Sequence, residues 1–335
     1  MTNKTAYFAG DSALRRPFRI GGRATDVTGM VLRLILAFIF LVPEVTAAPR
    51  APIDEAVKLI DLPSPPNVAI RMPTDIAYGQ KGRTYLVDSG NGRILAYGPE
   101  GRFLFAFGST DAGQGQLIGP VGIGTAADGR VLIADRAAKC IQVFDGDGNY
   151  LRTFKTQAGD AEVAPVDVAV NSTGERIYVT ASEPYNGVLV YDNSGALTGS
   201  WGRTGNGAGE FRYPTTIDIG PDNQVYVVDA LNGRVQVFNG TGKYVMGIGS
   251  WGVTPGKFFR PKGVTVGPNG AVLVSDGYLG VIQSFTANAL LRGVLGYRDE
   301  IARFDTPAGV AVDNRNRLYV VEMLSNRVSV WQLKP

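Results

Sequence analysis

Histidine is absent from all 335 residues, and cysteine occurs once, at Cys140. The first absence removes imidazole general acid–base catalysis, Ser-His-Asp triads, and histidine ligation of zinc or haem. The second rules out an intramolecular disulfide and a cysteine-built zinc site. The lone thiol is expected to be a small apolar residue inside a strand. Helical patterns are missing too: no amphipathic run of useful length follows residue 47. The Gly-rich stretches starting at Gly113 and Gly205 precede strand-like runs rather than helices, so neither is a phosphate-cradling loop.

Excess charge is also lacking once the N-terminus is set apart. Residues 1–47 hold six of the 33 Lys and Arg but only three of the 30 Asp and Glu, so residues 48–335 carry 27 of each. A neutral chain lacks the footprint that a phosphate backbone requires, which argues against a nucleic-acid partner. From Met30 the chain reads M-V-L-R-L-I-L-A-F-I-F-L-V-P-E-V-T-A-A-P. This is a basic residue, an apolar run of about a dozen residues and a small-residue Val45-Thr46-Ala47 ending of the kind signal peptidase accepts. The run is shorter than the ~20 residues of a comfortable membrane span. The expectation is an N-terminal extension and signal peptide over 1–47, with translation starting at Met1 or at Met30, and an exported domain over 48–335. Periplasm and cell exterior both fit, and membrane contact would come only through an uncleaved signal segment.

What is present is a repeat. The phrase P-x-[GDT]-[IV] begins at Pro73, Pro120, Pro165, Pro214, Pro261 and Pro307, with spacings of 47, 45, 49, 47 and 46 residues. A fixed period in this range marks stacked units that cannot bury both faces alone. The copy at Pro214 continues as P-T-T-I-D-I-G, Q-V-Y-V-V-D, G-R-V-Q-V-F and K-Y-V-M-G-I-G. These are four short runs with β-branched and aromatic content, separated by turn chemistry. The predicted fold is all-β: a six-bladed β-propeller of four-stranded antiparallel blades. The last copy stops after its third run at Trp331, and V-K-L-I-D-L (Val57–Leu62) is the expected N-terminal strand that completes the last blade and closes the ring.

At these residues the chain resembles the NHL-repeat family, whose units carry P-x-G-[IV]-A-V, Y-V-x-D and N-x-R-[IV]-x-[VY]-[FY]. Pro73, Asp88, Asn91 and Arg93 match in blade one, and Pro214, Asp229, Asn232 and Arg234 in blade four. Blade six offers Pro307, Glu322, Asn326 and Arg327, with the Asn shifted by one residue. The Arg position is Cys140 in blade two, Gly187 in blade three and Val281 in blade five, and Thr180 replaces the Asp in blade three. With the export signal, the resemblance implies an exported bacterial propeller, and the architecture hosts unrelated functions. Amidating lyases of similar architecture hold zinc with histidines, so that activity is excluded here. Some relatives bind single-stranded RNA through a basic face, which a neutral exported propeller does not offer.

Candidate residues fall into three sets. The repeated acids, among them Asp88, Asp229 and Glu322, stand five residues before Arg93, Arg234 and Arg327 and are expected to fix the hairpin between two strands. Two residues after the motif Pro stand Asp75, Gly122, Asp167, Thr216, Gly263 and Gly309. Asp75 and Asp167 would lie in one tier of the channel wall, either bracing their own strand entrance or holding Ca²⁺ or another divalent cation. The loops leading into the blades share a face with the loops between second and third strands. They offer Arg71, Arg212, Tyr213, Phe259 and Arg260, joined by Tyr185 and Tyr278, residue types that dominate binding hot spots. The reading is a monomeric, non-catalytic, cofactor-free binding or scaffold module for a protein, peptide or glycan. A metal-dependent propeller hydrolase or lactonase is the alternative.

Overall fold

The computed structural model describes residues 51–108, 113–182 and 184–334. The signal segment read over residues 1–47 lies outside them. Among the described residues, β-sheet organises into six blades around a channel. Blade one comprises Ile76–Tyr78, Thr84–Asp88, Arg93–Tyr97 and Phe103–Phe107; blade two comprises Pro120–Thr125, Val131–Asp135, Cys140–Phe144 and Tyr150–Lys155. Blade three comprises Pro165–Val170, Arg176–Ala181, Gly187–Asp192 and Leu197–Trp201; blade four comprises Pro214–Ile219, Val225–Asp229, Arg234–Phe238 and Tyr244–Ile248. Blade five comprises Pro261–Val266, Val272–Asp276, Val281–Phe285 and Leu291–Tyr297. In five blades the motif Pro is the first residue of the innermost strand, where its missing N–H costs no ladder bond.

Blade six closes the ring. It holds Pro307–Val312, Arg317–Glu322 and Arg327–Leu333, and its outer strand is Ile53–Asp61. The residues from Ala56 to Asp61 pair antiparallel with Leu333 back to Ser329, and the Leu62 amide adds a bond to the Val328 carbonyl (2.8 Å). The closing strand begins earlier than the Val57 read from sequence. Its first residues, Ile53 to Glu55, run parallel to Val294–Gly296 of blade five. One segment thus joins two blades.

Burial explains the composition of the runs. Second and third strands are buried over most of their length, and throughout in blades two and five, because each is covered on both sides by the neighbouring blades, whereas outer strands such as Leu197–Trp201 face solvent. Apolar clusters fill every blade interface. One joins Leu86 and Leu95 of blade one to Tyr319 and Val328 of blade six, and another joins Val87 and Ile94 to Ile133 and Phe144 of blade two. Tyr hydroxyls lock neighbours together, Tyr85 donating to the Gly146 carbonyl (2.8 Å) and Tyr178 to that of Gly240 (2.9 Å). Before blade three, Val163 takes the packing place of the apolar residue that other blades carry three positions before the motif Pro, and a small hairpin, Gln157–Ala158 with Ala161–Glu162, is inserted there.

Candidate functional site

The repeated acids are wholly buried and fully engaged. Asp88 Oδ1 accepts the Arg71 amide (2.7 Å), and Oδ2 accepts Arg93 Nε (2.7 Å) and Asn91 Nδ2 (2.8 Å). Asp229 repeats the pattern with the Arg212 amide (2.8 Å), Arg234 Nε (2.8 Å) and Asn232 Nδ2 (2.9 Å). Glu322 accepts the Asp305 amide (3.0 Å) and Arg327 Nη2 (2.6 Å). Each acid therefore ties the loop leading into its blade to the hairpin beyond it. Blades two and five, without the Arg, satisfy the carboxylate with main-chain donors: Asp135 takes the amides of Ile118, Gly119 and Ala138, and Asp276 those of Phe259, Arg260, Tyr278 and Leu279. Cys140 is buried at the vacated Arg position, and burial pushes its thiol up to about 11.

The shifted Asn of blade six has a different task. Asn326 Oδ1 accepts the Met72 amide of blade one (2.6 Å), and in blade three Asn186 Oδ1 accepts the Tyr213 amide of blade four (3.2 Å). Both asparagines are left-handed, a conformation Asn tolerates better than most residues. They latch neighbouring blades on the loop face.

In the channel, the carboxyls of Asp75 and Asp167 hydrogen-bond each other. Asp75 Oδ2 also accepts the Ile123 amide of blade two (3.0 Å); Asp167 Oδ2 accepts the Ile217 amide of blade four (2.9 Å), and its Oδ1 the adjacent Val168 amide (2.7 Å). The bracing read from sequence as local is therefore mostly a bond to the next blade, whose channel-side N–H would otherwise be unpaired. Thr216 does the same with the Val264 amide (3.0 Å). Burial raises Asp75 to about 7, and burial with the charge of Asp75 raises Asp167, so the pair shares a proton. Gly122 is glycine because an added methyl would stand 2.6 Å from the Asp167 Cα. Asp218, overlooked in the sequence, also lines the channel, accepts the Val266 amide (2.8 Å) and is raised by burial to about 6. Its signal was the period-two spacing from Thr216. A cation between Asp75 and Asp167 would have to displace these bonds. Among the described residues, no three His, Cys, Asp or Glu side chains form a set that would hold a metal ion.

On the loop face the structure assembles a ladder in blade five. The Phe259 ring lies between Trp251 (centroids 5.5 Å apart) and Tyr278 (4.4 Å), with the Arg260 guanidinium 4.8 Å from its centroid. Trp251 and Tyr278 are 59% and 69% exposed. Arg71, Arg212 and Tyr213 are exposed on the loops before blades one and four. Tyr185 does not join them: it packs against the cluster between blades two and three, its hydroxyl on the Trp201 carbonyl (3.4 Å). Trp251 escaped the sequence reading although its place is marked. It bridges to Phe258 as Thr204 bridges to Phe211 in the preceding loop, so aligning those two loops would have put a Trp where the other blade has Thr. Met72, Ile118 and Leu324 are further exposed apolar residues on these loops.

Comparison with known proteins agrees with the architecture. A family model described as a 6-bladed beta-propeller matches residues 167–230. Protein lin-41 of Caenorhabditis elegans is 38% identical over 72 residues, covering 22% of this chain and 5% of that protein. Peptidyl-glycine alpha-amidating monooxygenase B of Xenopus laevis is 28% identical over 184 residues, covering 50% of this chain and 20% of that protein. The chain thus spans a small part of the length of these curated relatives. Among solved structures, a gluconolactonase from Xanthomonas campestris superposes with a TM-score of 0.59 at 16% identity, covering 86% of this chain and 98% of that one. At that identity the likeness speaks for the fold alone.

Proposed function

We propose that this propeller is an exported, NHL-type binding module without catalytic function, which engages a protein, peptide or glycan partner through its loop face. The observation that carries the reading is the ladder of exposed Trp251 and Tyr278 on either side of half-buried Phe259, with Arg260 over the Phe259 ring. Rigid aromatic rings packed at a tilt against one another at the surface offer a large contact area at small entropic cost, and Arg adds directional donors. The repeated acids of that face do not compete, because Asp88, Asp135, Asp229, Asp276 and Glu322 are buried and spent on the hairpins. In the channel, the carboxyls that a metal-dependent hydrolase would use are engaged with each other and with neighbouring main chain.

The test is binding of the purified domain to glycan and peptide arrays and to extracytoplasmic extract, wild type beside a Trp251→Ala/Tyr278→Ala/Arg260→Ala variant. The expected result is a defined ligand retained by wild type and lost by the variant at unchanged melting temperature. Undiminished binding by the triple variant would sink the reading.

A further inference from the structure

Apart from the ladder, the loop-face end of the channel forms a cavity of about 260 Å³, a volume just below the range of drug-sized sites and suited to a smaller molecule. Two cations line it. Arg136 Nη1 is positioned by Ser182 Oγ (3.2 Å). Lys262, its stem lying against Gly277, has no hydrogen-bond or ion-pair partner for its ammonium among the described residues, and burial pulls it below the ordinary lysine value. Thr74 Oγ1 is buried beside the same cavity with no partner, a state that costs free energy until a ligand atom fills it. Asp75 and Asp167, at the floor, give their oxygens to each other and to the Ile123 and Ile217 amides. At the rim, Tyr213 holds φ at 61° immediately before Pro214, a conformation disfavoured for a bulky residue in that position. Strain of this kind concentrates at ligand clamps. Met323 supplies an apolar wall.

We propose that this mouth binds a small organic carboxylate, its anionic group between Arg136 and Lys262 with the Thr74 hydroxyl donating to it, and its body against Tyr213 and Met323. A carboxylate fits better than a phosphate because two cations and one hydroxyl match its two oxygens, and because the Asp75–Asp167 pair at the floor, with one proton between two carboxyls, repels a more highly charged anion more strongly. The site is independent of the partner ladder, and it needs no chemistry on the bound molecule.

Isothermal titration of the full chain with benzoate, gluconate and inorganic phosphate, with benzyl alcohol as the neutral counterpart of benzoate, tests it. Saturable binding of at least one carboxylate is expected, weakened at least about tenfold by Lys262→Met and by Arg136→Gln, and retained by Trp251→Ala/Tyr278→Ala. That last result would stand even if the ladder bound no partner, so the two readings fail separately. Absence of saturable carboxylate binding, benzyl alcohol binding as well as benzoate, a preference for phosphate, or affinity unchanged in both cation variants would each overturn the proposal. Should a cation variant fail to fold, Thr74→Val decides: weakened carboxylate binding supports the site, and unchanged affinity refutes it.

Discussion

The two faces of the ring solve the same problem differently. On the turn face, hairpins between third and fourth strands repeat one device: Asp145 Oδ1 accepts the amides of Asp147 and Asn149, Asp192 Oδ1 those of Ser194 and Ala196, and Asn239 Oδ1 those of Thr241 and Lys243. Each polar side chain is consumed by its own turn. The loop face buries its repeated polar groups as well, in the hairpin acids, yet leaves Trp251, Tyr278, Met72, Ile118 and Leu324 in water. None of these recurs from blade to blade. Repetition marks what a blade needs to fold, and departure from repetition marks what the ring has to offer a partner.

That contrast breaks most visibly at a repeated acid. Asp229→Ala would strand a partly buried Arg234 with the Arg212 amide and Asn232, and should cost about 3–5 kcal/mol in urea unfolding, as expected when one member of a buried pair is removed. Close packing at the channel comes next. Gly122→Ala should destabilise by about 1–3 kcal/mol through overpacking, whereas Gly199→Ala, on an exposed outer strand with open space around it, should stay within about 0.5 kcal/mol. Against both, Trp251→Ala/Tyr278→Ala should leave stability within about 1 kcal/mol, at roughly 0.5 kcal/mol per exposed site, while abolishing partner binding.

The channel pair gives a pH signature. The folded protein holds a proton on Asp75 and Asp167 up to about pH 7, where the unfolded chain has lost it near 4. The native state binds more protons in that window, so stability falls as pH rises from about 4 to about 7. The melting temperature should be higher at pH 5 than at pH 8 in wild type, and the gap should narrow in Asp75→Asn without closing, since burial also raises Asp167 and Asp218. The smallest effect concerns Cys140: its buried thiol should resist alkylation in the folded protein and react once urea unfolds it.

The repeat made the architecture readable because each blade must state its own strand order, and the motif prolines, the terminal acids and the aromatics do so in local sequence. The closing strand was readable for a related reason, since blade six lacked one. Partners across blade boundaries were not. Asp75 reaches Ile123, 48 residues on, and nothing in its neighbourhood distinguishes that bond from a local cap. Asn326 looked like a misplaced copy of Asn91 until its left-handed backbone turned it toward Met72 of the next blade. Tyr185 and Tyr278 looked equivalent, yet one packs inward and the other lies tilted against Phe259 at the surface. Loop shape decides such cases, and it depends on packing between units rather than on the pattern within one.

The most direct test of the loop face as the recognition surface is a titration of one bound ligand against three proteins: wild type, Trp251→Ala/Tyr278→Ala on the loop face, and Glu175→Ala/Lys243→Ala on the turn face. Affinity lost at least about tenfold in the loop-face variant and kept in the turn-face variant is the expected result, since hot-spot aromatics typically carry 2 kcal/mol or more. Equal affinity in wild type and the loop-face variant, or a loss confined to the turn-face variant, would contradict it.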